Sequence, residues 1–218
     1  MRPRFLPTGR GSLQIDLEVW IGGDLGAWFL DLTHKQKLSL ARIRALPEDI
    51  NVVAPSSDYC LLIHNPTVLK QPTIERYKRV WNLHPGFLPY GRGFYPVPWA
   101  IIEDTPAGAT LHEVVRGIDR GPIVYQREVG KLPKETCKEL HGRVREAEKE
   151  ILWNFLCDHP NIPIGIAQIG EGTHHYRREF EEVRTGFKKT GIGHLEPAQQ
   201  DRLIRAFTFQ PFAGLELP

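Results

Sequence analysis

Polar and apolar residues alternate through LQIDLEVWIG, residues 13–22, and predict a strand. The GGDLG that follows reads as a turn into a helix. THKQKLSLARIRAL predicts a helix with Leu40, Ile43 and Leu46 on one face, and INVVAP a short strand. YCLLIH and RVWNL are apolar runs of buried-strand length, and NPTVLKQPTIERYK between them can hold a short helix after Pro66. That strand–helix–strand unit marks a parallel sheet with a right-handed crossover. AGATLHEV and GPIVYQREV predict two more strands, joined by VRGIDR. KETCKELHGRVREAEKEILWNFLC is the clearest helix: Thr136 and Glu139 form a capping-box pattern, and Leu140, Val144, Ala147, Ile151 and Phe155 line one stripe. Beyond DHPNIPIG, the segment HHYRREFEEVRTGFKKTGIG is polar and broken, PAQQDRLIRAF predicts a short helix, and TFQPFAGLEL looks extended.

These elements describe an α/β protein, a mainly parallel sheet with helices on both faces. The expected division is a main domain over residues 1–160, its amino-terminal boundary unsettled, and a C-terminal extension over 161–218 with a short helix and a hairpin. A net charge of +2 over 218 residues is too mild for nucleic acid, and no dense basic stripe is visible. Cys60, Cys137 and Cys157 are few, odd in number and far apart, which fits reduced thiols rather than disulfides or a zinc site. The basic opening MRPRFLPTGRGSLQ lacks a signal-peptide core, and no stretch reaches the ~18 apolar residues of a membrane span, so a cytoplasmic protein is expected.

Candidate chemistry gathers where RVWNL runs into HPGFLPYGRGFYP. Ligands of parallel sheets collect beyond the carboxyl ends of the strands, where Asn82 and His84 stand, with His64 ending the neighbouring strand. Two positions apart on a strand, Asn82 and His84 point the same way. An amide donor beside an imidazole suits a reaction in which an oxygen gains charge while a proton moves. On spacing alone, a satisfied buried histidine beside a structural asparagine is the favoured reading. Asp119, between Gly117 and Gly121, is either a turn residue or a carboxylate supporting a cationic imidazole. His112 reads as structural support and His64 as a residue bordering the site or lying on the surface. The adjacent His174 and His175 lack partners at metal-ligand spacing, so no metal is expected. The glycines of GGDLG lack full dinucleotide spacing and read as a structural turn rather than a phosphate cradle.

The ordered set Asn82, His84, Pro85, Leu88, Pro89, Gly91, Gly93, then Gly108, Thr110, His112, Asp119 and Gly121, resembles the core signature of the folate-dependent formyltransferase family. The resemblance implies a Rossmann-like sheet, 10-formyltetrahydrofolate as formyl donor, an amine as acceptor, and Asn82, His84 and Asp119 as the catalytic set. On that reading Leu88, Pro89, Arg92, Gly93, Gly117 and Ile118 border the folate, with Arg92 also able to pair with a diphosphate. Tyr90, Phe94, Tyr95 and Trp99 would contact the acceptor unless they are core aromatics. Gly86, Phe87 and the later YGRGFYP are similar to the sugar N-formyltransferases that act on nucleotide-linked amino sugars. Leu88, Gly91, Phe94 and Tyr95 depart from the pattern of that group, so the sugar and nucleotide stay open. The implied acceptor is a 4-amino-4,6-dideoxy sugar such as dTDP-4-amino-4,6-dideoxyglucose, whose product would feed polysaccharide synthesis, and analogy implies a homodimer through the C-terminal segment. The alternatives are transfer to methionyl-tRNA or glycinamide ribonucleotide, hydrolysis of formyltetrahydrofolate, and a non-catalytic folate-binding module. The first fifty residues match the family least clearly, and their first strand is expected at Leu13–Ile21.

Overall fold

The alternating segment LQIDLEVWI is a strand, β1 (Leu13–Ile21), and its inward side chains Leu17 and Val19 are fully buried. The computed structural model describes residues 13–23, 25–45 and 49–208, so most of the tail TFQPFAGLEL, read as extended, lies outside the described residues. A six-stranded sheet is built from β1 with β2 (Leu38–Ala45), β3 (Tyr59–Ile63), β4 (Arg79–His84), β6 (Gly108–Glu113) and β7 (Ile123–Glu128). Its order is β2-β1-β3-β4-β6-β7. β1 pairs in parallel with β2 and β3, and β3 with β4, whereas β6 runs antiparallel to β4. The sheet is therefore mostly parallel, as the strand–helix–strand pattern predicts. Helices α1 (Leu25–Lys35), α2 (Gln71–Ile74) and α4 (Cys137–Asp158) join it.

The chain divides into two compact units. The first comprises Met1–His84, Thr110–Tyr125 and Glu148–Gln168; the second comprises Pro85–Ala109, Gln126–Ala147 and Ile169–Pro218. In the first unit Trp20, Ile50, Cys60, Leu62, Tyr77 and Val80 form one apolar cluster, and Trp81 meets Phe155 edge-on at 5.0 Å. The second unit holds β5 (Arg92–Gly93), α3 (Pro96–Ile102), β8 (His174–His175), α5 (Arg177–Thr190) and α6 (Pro197–Ala206). Its aromatic core centres on Phe180, whose ring lies 4.8 Å from Tyr95 and 4.9 Å from Phe207. Each residue of the α4 stripe, from Leu140 to Phe155, is buried. Thr136 and Glu139 form the predicted box: the Thr136 amide donates to the Glu139 carboxylate at 2.9 Å, and the Glu139 amide donates back to the Thr136 hydroxyl at 3.4 Å.

Three local expectations are corrected. The segment expected as a helix through Leu40 and Ile43 is strand β2; the preceding helix ends at Lys35. Pairing with β1 supplies its backbone bonds, and Arg44 donates to the fully buried Glu18 of β1 at 2.8 Å, an anchor that no helical stripe provides. INVVAP forms turns rather than a strand. There the Asn51 amide donates to the Asp49 carboxylate at 2.9 Å, while the Asn51 side-chain oxygen accepts from the Lys70 amide, so local side-chain bonds displace ladder bonds. The polar segment after His175 is an unbroken helix, α5, which buries Phe180 and carries Glu179 back to the Tyr176 amide at 2.7 Å. In GGDLG, a side chain at Gly26 would collide with Ile21 at 2.3 Å, so that glycine serves close strand–helix packing. No helix among the described residues is long and apolar enough to cross a membrane.

Candidate active site

Period two on β4 buries Leu83 completely and turns Asn82 and His84 to the other face. The antiparallel neighbour β6 then supplies cross-strand partners, His112 opposite Asn82 and Thr110 opposite His84. Both imidazoles are buried, and their ring centroids lie 6.4 Å apart. The Asn82 amide nitrogen approaches His112 Nε2 at 3.3 Å. His112 Nδ1 lies 2.8 Å from the Glu113 carbonyl, which can only accept, so Nδ1 carries a proton. In neutral His112 the other nitrogen, Nε2, is then an acceptor for Asn82.

Asp119 comes to this pair from the loop after β6. Its Oδ2 lies 3.6 Å from His84 Nδ1, and its Oδ1 lies 3.3 Å from His112 Nε2 and 3.4 Å from the Asn82 amide nitrogen. One carboxylate thus faces both imidazoles and the amide. The loop reverses through two left-handed residues, Gly117 at φ +103° and Asp119 at φ +50°. A side chain at Gly121 would stand 1.6 Å from the Glu113 carbonyl oxygen, so only glycine allows the chain to close beside β6. The Asn82 side-chain oxygen is buried and has no hydrogen-bond partner among the described residues. A buried amide oxygen without a partner is uncommon.

Asn82, His84 and Asp119 are therefore gathered in the first unit, and His112 joins them as a direct neighbour of both amide and carboxylate. Gly117 is exposed and Ile118 half-buried in the same loop. The remaining residues expected to bind ligands lie in the second unit. Arg92 is buried, and its guanidinium donates to the Glu171 carbonyl at 2.6 Å, which braces the backbone there. Gly93 approaches the His175 carbonyl where a side chain would reach 2.2 Å, so its lack of a Cβ serves the parallel pairing of β5 with β8. Leu88 is buried, and its carbonyl accepts from the Gln126 amide at 2.7 Å. Pro89 accepts from the Thr173 amide at 3.2 Å. Trp99 is buried and stacked on His175 at 3.8 Å, and the half-buried Tyr95 packs on Phe180. Tyr90 and Phe94 stay half-buried, with the Arg177 guanidinium 5.0 Å from the Phe94 ring.

His64, at the end of β3, lies 2.5 Å through Nε2 from the buried carboxylate of Glu148. His174 and His175 form β8; His175 is flanked by Glu103 at 2.8 Å and Glu179 at 3.5 Å. No group of three or more histidine, cysteine, aspartate or glutamate side chains among the described residues could hold a metal ion. Sequence reasoning missed Gln168, whose side-chain amide donates to the Asp119 carbonyl at 2.7 Å and the Gly121 carbonyl at 2.9 Å. A single amide in an irregular segment gives no periodic signal.

Residues 34–156 match the formyl transferase family. A dTDP-4-amino-4,6-dideoxyglucose formyltransferase of Mycobacterium tuberculosis is 32% identical over 107 residues, which is 49% of this chain and 46% of the relative. The match thus spans about half the length of such curated relatives. Among solved structures, a 4-N formyltransferase from Francisella tularensis shares the fold with a TM-score of 0.77 at 18% identity, over 91% of this chain and 89% of that one. An N-formyltransferase from Helicobacter canadensis, in complex with folinic acid and dTDP-3-aminofucose, has a TM-score of 0.72 at 16% identity, over 93% of this chain and 84% of that one.

Proposed function

The chain belongs to the formyl transferase family, and from that premise we propose that it transfers a formyl group from 10-formyltetrahydrofolate to the amine of a nucleotide-linked amino sugar. The observation that carries the reading is the Asp119 carboxylate, 3.6 Å from His84 and 3.3 Å from His112, beside an Asn82 amide whose oxygen has no partner among the described residues. The M. tuberculosis relative supports a 4-amino-4,6-dideoxy sugar as acceptor, and the folinic acid and dTDP-sugar of the Helicobacter complex support the two ligand classes.

The donor set suits a formyl donor: an amide, two imidazoles and a carboxylate can orient a carbonyl and handle a proton without a metal. When bound, 10-formyltetrahydrofolate supplies an electrophilic formyl carbon and a nitrogen that leaves with a proton. Gly117 and Ile118, beside Asp119, would hold it in the first unit. Tyr90, Phe94 and Tyr95 are half-buried aromatics able to stack a nucleotide or sugar. As the acceptor nitrogen bonds to carbon, the carbonyl oxygen gains charge and the nitrogen must lose a proton. His84 takes that proton, and the Asp119 carboxylate stabilises the imidazolium. The Asn82 amide nitrogen donates to the developing charge, a contact worth roughly 3–4 kcal/mol when well aimed. The proton finally passes to the departing nitrogen, which balances the reaction.

Purified protein is incubated with 10-formyltetrahydrofolate and a panel of dTDP- and UDP-amino sugars, methionyl-tRNA and glycinamide ribonucleotide. Mass spectrometry should find one formyl group gained by a nucleotide sugar. Formylation of the tRNA or the ribonucleotide alone, or folate release with no acceptor present, would replace this reading.

A further inference from the structure

We propose that residues 162–168 act as a strap whose last side chain, Gln168, holds Asp119 in register with the two imidazoles, which makes Gln168 a positioning residue for formyl transfer. The inference rests on the proposed reaction and extends it to a part of the chain outside the family signature.

The strap is fixed at its start by Arg79, at the head of β4. That guanidinium donates to the Ile162 carbonyl at 3.0 Å and the Pro163 carbonyl at 2.9 Å, and it is paired with Glu113 of β6 at 2.5 Å. Midway, Ile166 and Ile123 exchange two backbone hydrogen bonds of 2.8 and 2.7 Å as an antiparallel bridge. Gly165 lies so close to Pro122 that a side chain would meet its ring at 2.7 Å. Gln168 then closes the strap onto the loop through its two bonds to the Asp119 and Gly121 carbonyls.

Two features separate this arrangement from ordinary packing. Ile164 and Ile166 are 89% and 74% exposed, so apart from the buried Ile162 the strap is held by Arg79, by backbone bonds and by Gln168 rather than by apolar burial. The loop it grips also passes through the left-handed region twice, at Gly117 (φ +103°) and Asp119 (φ +50°). A brace on the backbone of such a loop would keep its carboxylate within the fraction of an ångström that proton transfer demands. Gln168 supplies two donors to the carbonyls on either side of Arg120, and both bonds constrain the peptide frame that aims the Asp119 side chain.

The test uses Gln168→Met, similar in length and without a donor, in the full-length protein. Four quantities are measured: kcat and KM for both substrates, the melting temperature, the amide hydrogen exchange of the peptide spanning residues 115–121, and the effect of the same change in an Asp119→Asn background. The expected result is a kcat lower by ~10- to 100-fold with both KM values within about twofold of wild type. The melting temperature should fall by only about 2–4 °C, and exchange in the loop peptide should rise. In the Asp119→Asn background, Gln168→Met should cost little more, because its effect runs through that carboxylate. Unchanged kcat overturns the positioning role whether or not exchange rises, and so does a loss that adds fully to that of Asp119→Asn. If the wild-type protein formylates no amine, the proposed reaction falls on its own; exchange then judges the strap, with unchanged protection refuting it and raised exchange supporting the grip on the loop.

Discussion

Replacing Asp119 with Asn keeps the side chain's size and removes its charge. The carboxylate stands 3.6 Å from His84 Nδ1 with 12% of its side chain exposed, so it faces any proton taken up by His84 through little water. A unit charge pair at that distance is worth about 4–5 kcal/mol at an effective dielectric of 20, and about 1 kcal/mol in bulk water. With each 1.36 kcal/mol equal to a tenfold change in rate, the expected loss in kcat for Asp119→Asn is about 10²- to 10³-fold. Binding should change much less, because in the proposed reaction the imidazolium forms as the amine attacks rather than on binding. The assay is single-turnover formylation of whichever amino sugar the proposed reaction is found to use, followed by chromatography, with folate and sugar affinities measured separately by calorimetry. A variant that folds normally and keeps kcat within about threefold of wild type would refute the argument that this carboxylate carries the developing charge.

Gly121→Ala should destabilise by about 3 kcal/mol, because its Cβ would meet backbone atoms of Glu113 that cannot swing aside; thermal melting should show a drop of ~6–12 °C. His159 lies between Phe155 and Tyr59, with a ring nitrogen lacking a partner among the described residues, and burial holds its pKa below the ordinary 6.5. The unfolded chain therefore binds the proton more readily, so stability present above pH 6.5 should be lost as pH falls below it; melting from pH 7.5 to 5.5 should show this slope, flattened in His159→Gln. Burial, assisted for Cys60 by the Glu18 charge, raises the Cys60 and Cys137 thiols above their ordinary range, whereas Cys157 is half-buried. Iodoacetamide at pH 8 should label native protein first at Cys157, with the other two reacting only after denaturation, as read by peptide mass spectrometry.

How much of this was legible in the sequence depended on whether a signal was local. The runs of β3 and β4, the capping box of α4 and its apolar stripe announce themselves because each lies within one turn or one strand. The pair Asn82 and His84 was legible for the same reason: period two places both on one face. β2 was misread because eight residues with apolar side chains at Leu38, Leu40 and Ile43 fit a helical stripe as well as a strand, and only pairing with β1 decides between them. α5 looked broken because its apolar face is sparse, Phe180 with the half-buried Val183 and Phe187, and its packing on distant aromatics carries no local signature. The approach of Asp119 to His84 was the least local of all. Composition offered only two flanking glycines, and the reach of Gln168 across 47 residues to Gly121 left no pattern at all.

The left-handed backbone at Asp119 also decides which substitutions can test the site cleanly. A β-carbon at positive φ crowds the neighbouring carbonyl and costs about 1–2 kcal/mol for most residues, while aspartate and asparagine tolerate the conformation through local hydrogen bonding. Asp119→Asn therefore removes charge with little added strain, whereas Asp119→Val removes charge and forces a β-branched residue to φ +50°. If the loop is held in that conformation in solution, the valine variant should melt below the asparagine variant by the equivalent of about 1–2 kcal/mol, roughly 2–8 °C, although both have lost the same carboxylate. Equal melting temperatures would mean that the loop relaxes to negative φ when free of the native aspartate. The carboxylate would then owe its aim to its own contacts with His84 and His112, and not to the turn that presents it.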